Sequence, residues 1–316
     1  MKLNYQYKTY SEDGRPKIEE LYKAFYALLK NKNWNIHVID KHSINKKRRK
    51  LQFPVISLTT KNCGKAVWII GGIHGEEPAG PVAISKNLNL FKRLAERKTI
   101  FVILPLCNPS GYFRNWRYLN HWKDWRIGKS IGDCEHLLLK NNKEPRVKKP
   151  ISKKAKVFTD YLLNLSEKYP PLLVIDLHED NPLTAGEGTF YPERATYGGI
   201  YIYSQGKLGN RDPIAREIIK TLLAHKHPII NSGNAKTRFK EKIVKGIVSG
   251  VKDGSIDELL ASEKIYRNGK IIEKVRAKSV IVVETITTLP LKKRVEIHSE
   301  ILKKINKFVR LANSIQ

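Results

Sequence analysis

Apolar and polar positions along the chain change period several times, and each change marks an element. Over residues 16–29, Ile18, Leu21, Tyr22, Phe25, Leu28 and Leu29 recur at helical spacing, with Pro16 suited to an early helical position. Residues 34–39 and 53–59 read as strands, joined by the basic run Lys46-Lys47-Arg48-Arg49-Lys50 as their connecting loop. A more regular rhythm follows. A strand at 66–70 leads through a glycine-bearing turn into a helix at 79–98, then come a strand at 100–106, a long loop rich in Trp, Arg and Lys, and a helix at 153–169. Strands at 172–177 and 200–203 precede a helix opened by Asp212-Pro213 and a long irregular stretch. The strand at 280–283 then feeds one C-terminal amphipathic helix, with Val295, Leu302, Ile305, Val309 and Ala312 on a single face. Strands alternating with helices predict an α/β fold with a largely parallel sheet covered on both faces. In such sheets functional groups gather beyond the carboxyl ends of the strands.

Composition narrows this picture without redirecting it. The 316 residues, 41% hydrophobic, suffice for one large core, so one catalytic domain is expected. No apolar run approaches the roughly 20 residues that span a bilayer. The polar stretch 1–14 has no apolar segment of a secretory signal, and Cys63, Cys107 and Cys134 cannot form a fully paired framework, so a reduced, cytoplasmic protein is expected. The formal net charge of +29 raises a nucleic-acid partner, which is unlikely here because no aromatic-and-basic stacking motif accompanies the basic runs. A solvated lysine-rich surface, or attraction of acidic substrates, accounts for the same charge.

Candidate chemistry lies at strand ends. Of nine histidines, only His74 and His178 directly follow buried strands, and only His74 has a glutamate, Glu77, three positions later. A catalytic zinc takes imidazole nitrogen and carboxylate oxygen with one position left open, and His178 can complete a set with His74 and Glu77 from another strand. Asp176 shares the strand face of His178 and is either a partner for the imidazole N–H or a cap for the next turn. Glu284 ends the apolar run 280–283, where a carboxylate is costly unless paired or working.

These motifs resemble the zinc carboxypeptidase superfamily, which includes murein peptide amidases and the aspartoacylase and succinylglutamate desuccinylase branch; the similarity runs over residues 67–308. It implies one Zn2+ per chain held by His74, Glu77 and His178, with Glu284 as catalytic base. The family's Asn-Pro-x-Gly segment falls on Asn108-Pro109-Ser110-Gly111 and points to Arg117 as the oxyanion-stabilising arginine, with Arg114 beside it. Where many relatives carry Asp-Leu-Asn-Arg, this chain reads His121-Trp122-Lys123-Asp124-Trp125-Arg126. The Asn is lost, and Arg126, with Arg114, stands as the candidate substrate binder. Gly254-Ser255-Ile256-Asp257 resembles a segment that precedes the catalytic glutamate in many members. No secure counterpart of the family's mobile tyrosine is present, and Tyr266 reads as a plain strand residue. Trp116, Trp122 and Trp125 either pack the long loop down or line the cleft.

The resemblance implies a mostly parallel or mixed sheet of the eight-stranded type with helices on both faces, comprising a catalytic domain over 61–316 and an accessory portion over 1–60 packed on it. The implied activity is hydrolysis of a C-terminal or cell-wall-type peptide amide by metal-activated water. An N-acyl-amino-acid deacylase with the same metal site is the alternative, and a nucleic-acid-binding protein with a vestigial site is the alternative from another class.

Overall fold

A computed structural model describes residues 13–46, 49–120, 128–180, 199–230, 235–237 and 239–315. Its centre is a mixed sheet of nine strands among the described residues, in the order β1 (Trp34–Lys46), β2 (Arg49–Thr60), β4 (Phe101–Leu104), β3 (Ala66–Gly71), β7 (Pro171–Asp180), β13 (Ser279–Ile286), β8 (Tyr201–Gln205), β10 (Ile247–Ser249) and β9 (Ile243–Val244). The central strands β4, β3, β7 and β13 run parallel, and antiparallel pairs finish both sides. β3 and β7 are buried at every position, as apolar parallel strands covered on both faces must be. β1 and β2 form a long antiparallel pair, in register from Trp34 with Thr60 to Lys46 with Arg49, and β2 bonds β4 through Leu58 and Thr59. The portion before residue 61 therefore adds two strands to the sheet as well as a helix against it.

Strand alternation sorts the side chains into two layers. Ile69, Ile103, Ile175, Leu177, Ile281 and Val283 pack one face against α1 (Ile18–Tyr26), α2 (Ala79–Lys86), α3 (Leu88–Glu96), α6 (Pro213–Ala224), α8 (Leu291–Leu302) and α9 (Ile305–Ser314). Trp68, Ile70, Val174 and Val280 pack the other against α5 (Lys153–Lys168), α7 (Ile256–Ala261) and the segment 131–138. The Trp68 indole N–H donates to the Tyr169 carbonyl at 3.0 Å, and the Tyr169 hydroxyl to the Thr60 carbonyl at 2.8 Å, so the polar atoms of these two large buried rings are satisfied.

Three expected elements divide differently. The first helix starts at Ile18 and tightens into a 3-10 turn over Ala27–Lys30. The helix expected over 79–98 is two, broken at Asn87, whose side-chain amide takes the Ala83 carbonyl at 2.8 Å in competition with the backbone. The C-terminal helix breaks after Leu302, where Lys304 and Lys307 donate to carbonyls three residues back. Inside the loop 116–150 a short hairpin forms, β5 (Leu139–Lys140) with β6 (Glu144–Pro145), and the irregular stretch before β13 contains α7 and the hairpin of β11 (Lys264–Arg267) and β12 (Lys270–Glu273). Tyr266 is a strand residue there, as expected. All three cysteines are free thiols, and no helix among the described residues is long and apolar enough to cross a membrane.

One buried ion pair ties the helical layer to the strand that carries His178. Glu179 Oε1 accepts from the Ala79 backbone N–H at 2.6 Å, and its Oε2 pairs with Arg294 of α8, both residues being buried. Arg294→Met leaves that carboxylate buried without a cation, and urea denaturation is expected to show a loss of about 3–5 kcal/mol.

Candidate metal centre and cleft

His74 and Glu77 sit in the turn between β3 and α2, and this turn is pressed against α4 (Pro109–Arg114). A Cβ on Gly75 would lie 2.0 Å from the Gly111 carbonyl carbon, so the two backbones meet where neither residue can carry a side chain. Asn108-Pro109-Ser110-Gly111 acquires a local meaning here. Asn108 caps α4 by accepting the Gly111 N–H at 3.0 Å, and Pro109 takes the first helical position, where its missing donor costs nothing. The Arg117 carbonyl then accepts from the Gly75 N–H and from Asn108 Nδ2, both at 3.3 Å, which fixes Arg117 beside the turn.

His178 comes from the carboxyl end of β7. Its Nδ1 lies 2.9 Å from Glu77 Oε2, and Nδ1 of His74 lies 2.8 Å from Glu77 Oε1. Two imidazoles thus face the two oxygens of one carboxylate, with ring centroids 5.0 Å apart. The ligand atoms of the three residues all fall within 4.8 Å of one another, and neighbouring ligands of a tetrahedral zinc lie roughly 3.3 Å apart, so the donor set fits such an ion with one position left open. A His/Glu/His metal site therefore exists in this structure.

Electrostatics acts on the two imidazoles in opposite senses. Burial, reinforced by Arg117, lowers the His74 pKa to about 3 against the pull of Glu77, which leaves its imidazole neutral as a metal ligand must be. Burial disfavours a charged Glu77, but His74 and His178 outweigh it and hold the carboxyl well below its ordinary value. Burial likewise disfavours a charged His178, and Asp176 and Glu77 override it, raising its pKa. Asp176 is fully buried with Oδ2 3.1 Å from His178 Nε2, so it supports the imidazole rather than capping the next turn. Glu77 Oε2 also accepts the Glu179 N–H at 3.2 Å.

The other candidates separate. Arg117 donates from Nη1 to Glu77 Oε1 at 2.8 Å and to Glu76 Oε1 at 3.2 Å, and it lines the cleft. Glu284 is half-buried on β13, in register with His178, and lines the same cleft. Arg114 is not brought in: its guanidinium stacks on the Trp116 ring at 4.5 Å, and the left-handed residue Asn115 (φ 56°) turns the chain so that Arg117, and not Arg114, reaches the site. That contact places Trp116 in packing. Arg126, Trp122 and Trp125 lie outside the described residues. Ser255 of the Gly254-Ser255-Ile256-Asp257 segment caps α7, and Asp257 lies within 4.8 Å of Asp176 and His178. The cleft measures ≈ 550 Å³, and Tyr118, Asp133, Tyr203 and Glu241 also line it. None of these had a local signal in the chain.

Two imidazoles and a carboxylate thus meet at the strand ends of an α/β sheet, an arrangement able to hold a metal ion. No family model matches the chain. Carboxypeptidase 2 of Trichophyton rubrum is 28% identical over 165 residues, half of this chain but 26% of its own length, and carboxypeptidase 2 of Trichophyton tonsurans is 27% identical over the same span. The match thus spans about a quarter of these curated relatives. Among solved structures, a candidate metallopeptidase of Shewanella baltica OS155 superposes with a TM-score of 0.66 at 18% identity, covering 94% of this chain and 92% of its own. Carboxypeptidase A of Helicoverpa armigera superposes with a TM-score of 0.56 at 13% identity, covering 95% of this chain and 74% of its own. The chain is thus similar in sequence to named carboxypeptidases over half its length, and it shares the fold of these solved structures.

A positioning residue comes from ahead of α1. Arg15, 4% exposed, donates from Nη1 to the carbonyls of Gly75 and Tyr112, both at 2.9 Å, and from Nη2 to Asn115 Oδ1 at 2.7 Å, with Asp13 on its other edge. It clamps the turn of His74 and Glu77 onto α4. Arg15→Met is expected to weaken zinc affinity by about tenfold in chelator competition, the low end for residues that hold ligands in place, with Arg15→Lys intermediate.

Proposed function

We propose that this chain is a zinc-dependent hydrolase of the metallocarboxypeptidase type that cleaves a peptide amide, at a C-terminal or cell-wall-type peptide bond. One observation carries the reading: a single buried carboxylate faces two strand-delivered imidazoles, with a second carboxylate, Glu284, next to one of them across the sheet. One zinc per chain, held by His74, Glu77 and His178, would supply Lewis acidity toward a carbonyl and acidify a water molecule. The remaining work falls to side chains of this chain. Glu284 takes a proton from the attacking water and returns it to the departing nitrogen. Arg117 is held at the cleft by Glu76 and Glu77, where a fixed cation stabilises the charge that develops on the carbonyl oxygen. Its two carboxylate neighbours overcome burial and raise its pKa, so it stays charged throughout catalysis. Asp176 keeps the His178 ring oriented. Arg126 is proposed as the binder of the substrate carboxylate.

The test pairs metal analysis with turnover. Purified protein is expected to carry about one zinc per chain, with strong loss in His178→Ala. Glu284→Gln should retain the zinc and lose about 10²–10⁴-fold in kcat on peptides. Release of acetate or succinate from acetyl-aspartate or succinyl-glutamate, with peptides left intact, would replace the peptidase reading by the deacylase. Unchanged zinc in His178→Ala would remove the ligand assignment itself.

A further inference from the structure

Two hairpins stand on the layer of α5 and α7, and no residue of 139–149 or 263–278 lines the cleft. β11 and β12 turn through Asn268 and Gly269, both at positive φ (52° and 80°), the two-residue connection that matches strand twist. β5 and β6 lie beside them. The Tyr266 N–H donates to the Leu137 carbonyl at 2.8 Å and the Arg146 N–H to the Leu138 carbonyl at 2.9 Å, so one segment holds both hairpins. Side chains fasten them to the body: Arg146 pairs with Glu258 of α7, and Arg267 Nη2 donates to Asn164 Oδ1 of α5 at 2.6 Å. Their outward side chains are therefore carried on a firm support.

Strand register sorts those side chains. Ile265 opposes Ile272 on the inner face, one buried and the other packed on the core, whereas Tyr266 opposes Ile271 on the outer face, where Ile271 is 40% exposed. Val275 and Val147, just beyond β12 and β6, are 60% and 41% exposed. Around these aliphatic groups the charge is one-sided: residues 139–149 and 263–278 hold eleven lysines and arginines against three glutamates. Two of those glutamates are already engaged, Glu263 by Arg276 at 2.7 Å and Glu273 by Lys264 at 3.5 Å. Lys140, Lys143, Lys148, Lys149 and Lys270 are exposed, and none of them is in an ion pair among the described residues. Like charges gathered this way repel one another until an anionic partner neutralises them.

We propose that this hairpin face is a docking surface for an anionic lipid bilayer, which the protein meets at the headgroup level with nothing crossing the membrane. Ile271, Val275 and Val147 enter the boundary between headgroups and acyl chains, while the long lysine stems keep their ammonium groups among the lipid phosphates. A lipid surface uses both features of the face, its cations and its exposed aliphatic groups. A nucleic acid uses only the first. A phosphate backbone gains nothing from isoleucine and valine, and Tyr266, the aromatic residue of these two segments, is half-buried where a base would need a free ring. The proposal is independent of the metal centre and of the reaction assigned to it.

The experiment is co-sedimentation of the full chain with vesicles of phosphatidylcholine, alone or with about 30 mol % phosphatidylglycerol, at about 0.15 M salt. Partitioning onto the anionic vesicles is expected to be at least about tenfold stronger than onto the neutral ones. A combined Lys143→Gln, Lys148→Gln, Lys149→Gln, Lys270→Gln variant should lose at least about tenfold of that binding at unchanged Tm. An Ile271→Ser, Val275→Ser variant should lose about threefold or more, a response that adsorption by charge alone would not give. A control removes as many cations from the opposite helical layer (Lys92→Gln, Arg93→Gln, Arg97→Gln, Lys303→Gln) and should bind as the parent does. Equal binding to both vesicles, an equal loss in the control, or hairpin variants that bind like the parent would each overturn the proposal. Duplex or single-stranded DNA bound more tightly than the anionic vesicles, and weakened by the same lysine substitutions, would make this face a nucleic-acid surface instead.

Discussion

The buried carboxylate of Glu77 is the constraint around which the rest is arranged. Both its oxygens face imidazoles delivered by different strands, one of them also meets Arg117, and the other receives a backbone N–H from Glu179. A charge so deep survives only when its partners are held rigidly, because desolvation of an ion is repaid only by close and well-placed opposite charge. The surroundings supply that rigidity: parallel β3 and β7 set the separation of the two ligand-bearing segments, and α4 presses the glycine turn into place.

Support for the site comes in layers from distant stretches of chain. Asp176 backs His178, Asn108 and the Gly75 N–H hold the Arg117 carbonyl, and Arg15 ties the ligand turn to α4. On the opposite face of the sheet, the ion pair of Glu179 with Arg294 fastens the end of β7 to the helical layer. His178 and Glu179 are consecutive, so strand alternation sends one to the chemistry and the other to the scaffold. The site and the helical core therefore share a strand end.

Charge is distributed against expectation. A net charge of +29 suggests anionic partners, but the cleft lining is carboxylate-rich. Surface charge governs long-range attraction, which salt screens within about 8–10 Å, whereas recognition in a cleft depends on the few groups that touch the ligand. Totals over a sequence speak to the first and are silent on the second.

What the amino-acid order alone determined was whatever depends on local period and on strand ends. Apolar runs marked β3, β7 and β13, and the residues at or beyond their carboxyl ends, His74, Glu77, His178 and Glu284, were legible because a parallel sheet delivers its carboxyl ends to one edge. The Asn-Pro-x-Gly segment was legible because capping is local. Helix breaks at Asn87 and after Leu302 were missed, since an apolar stripe continues across them while side-chain and tight-turn hydrogen bonds interrupt the backbone. Arg114 and Arg117 were indistinguishable in chemistry, and only the left-handed turn at Asn115 separated them. Arg15 and Asp133 carried no signal, because their meaning lies in contacts with segments far along the chain. Long-range contact is decided by packing, and only the folded structure records it.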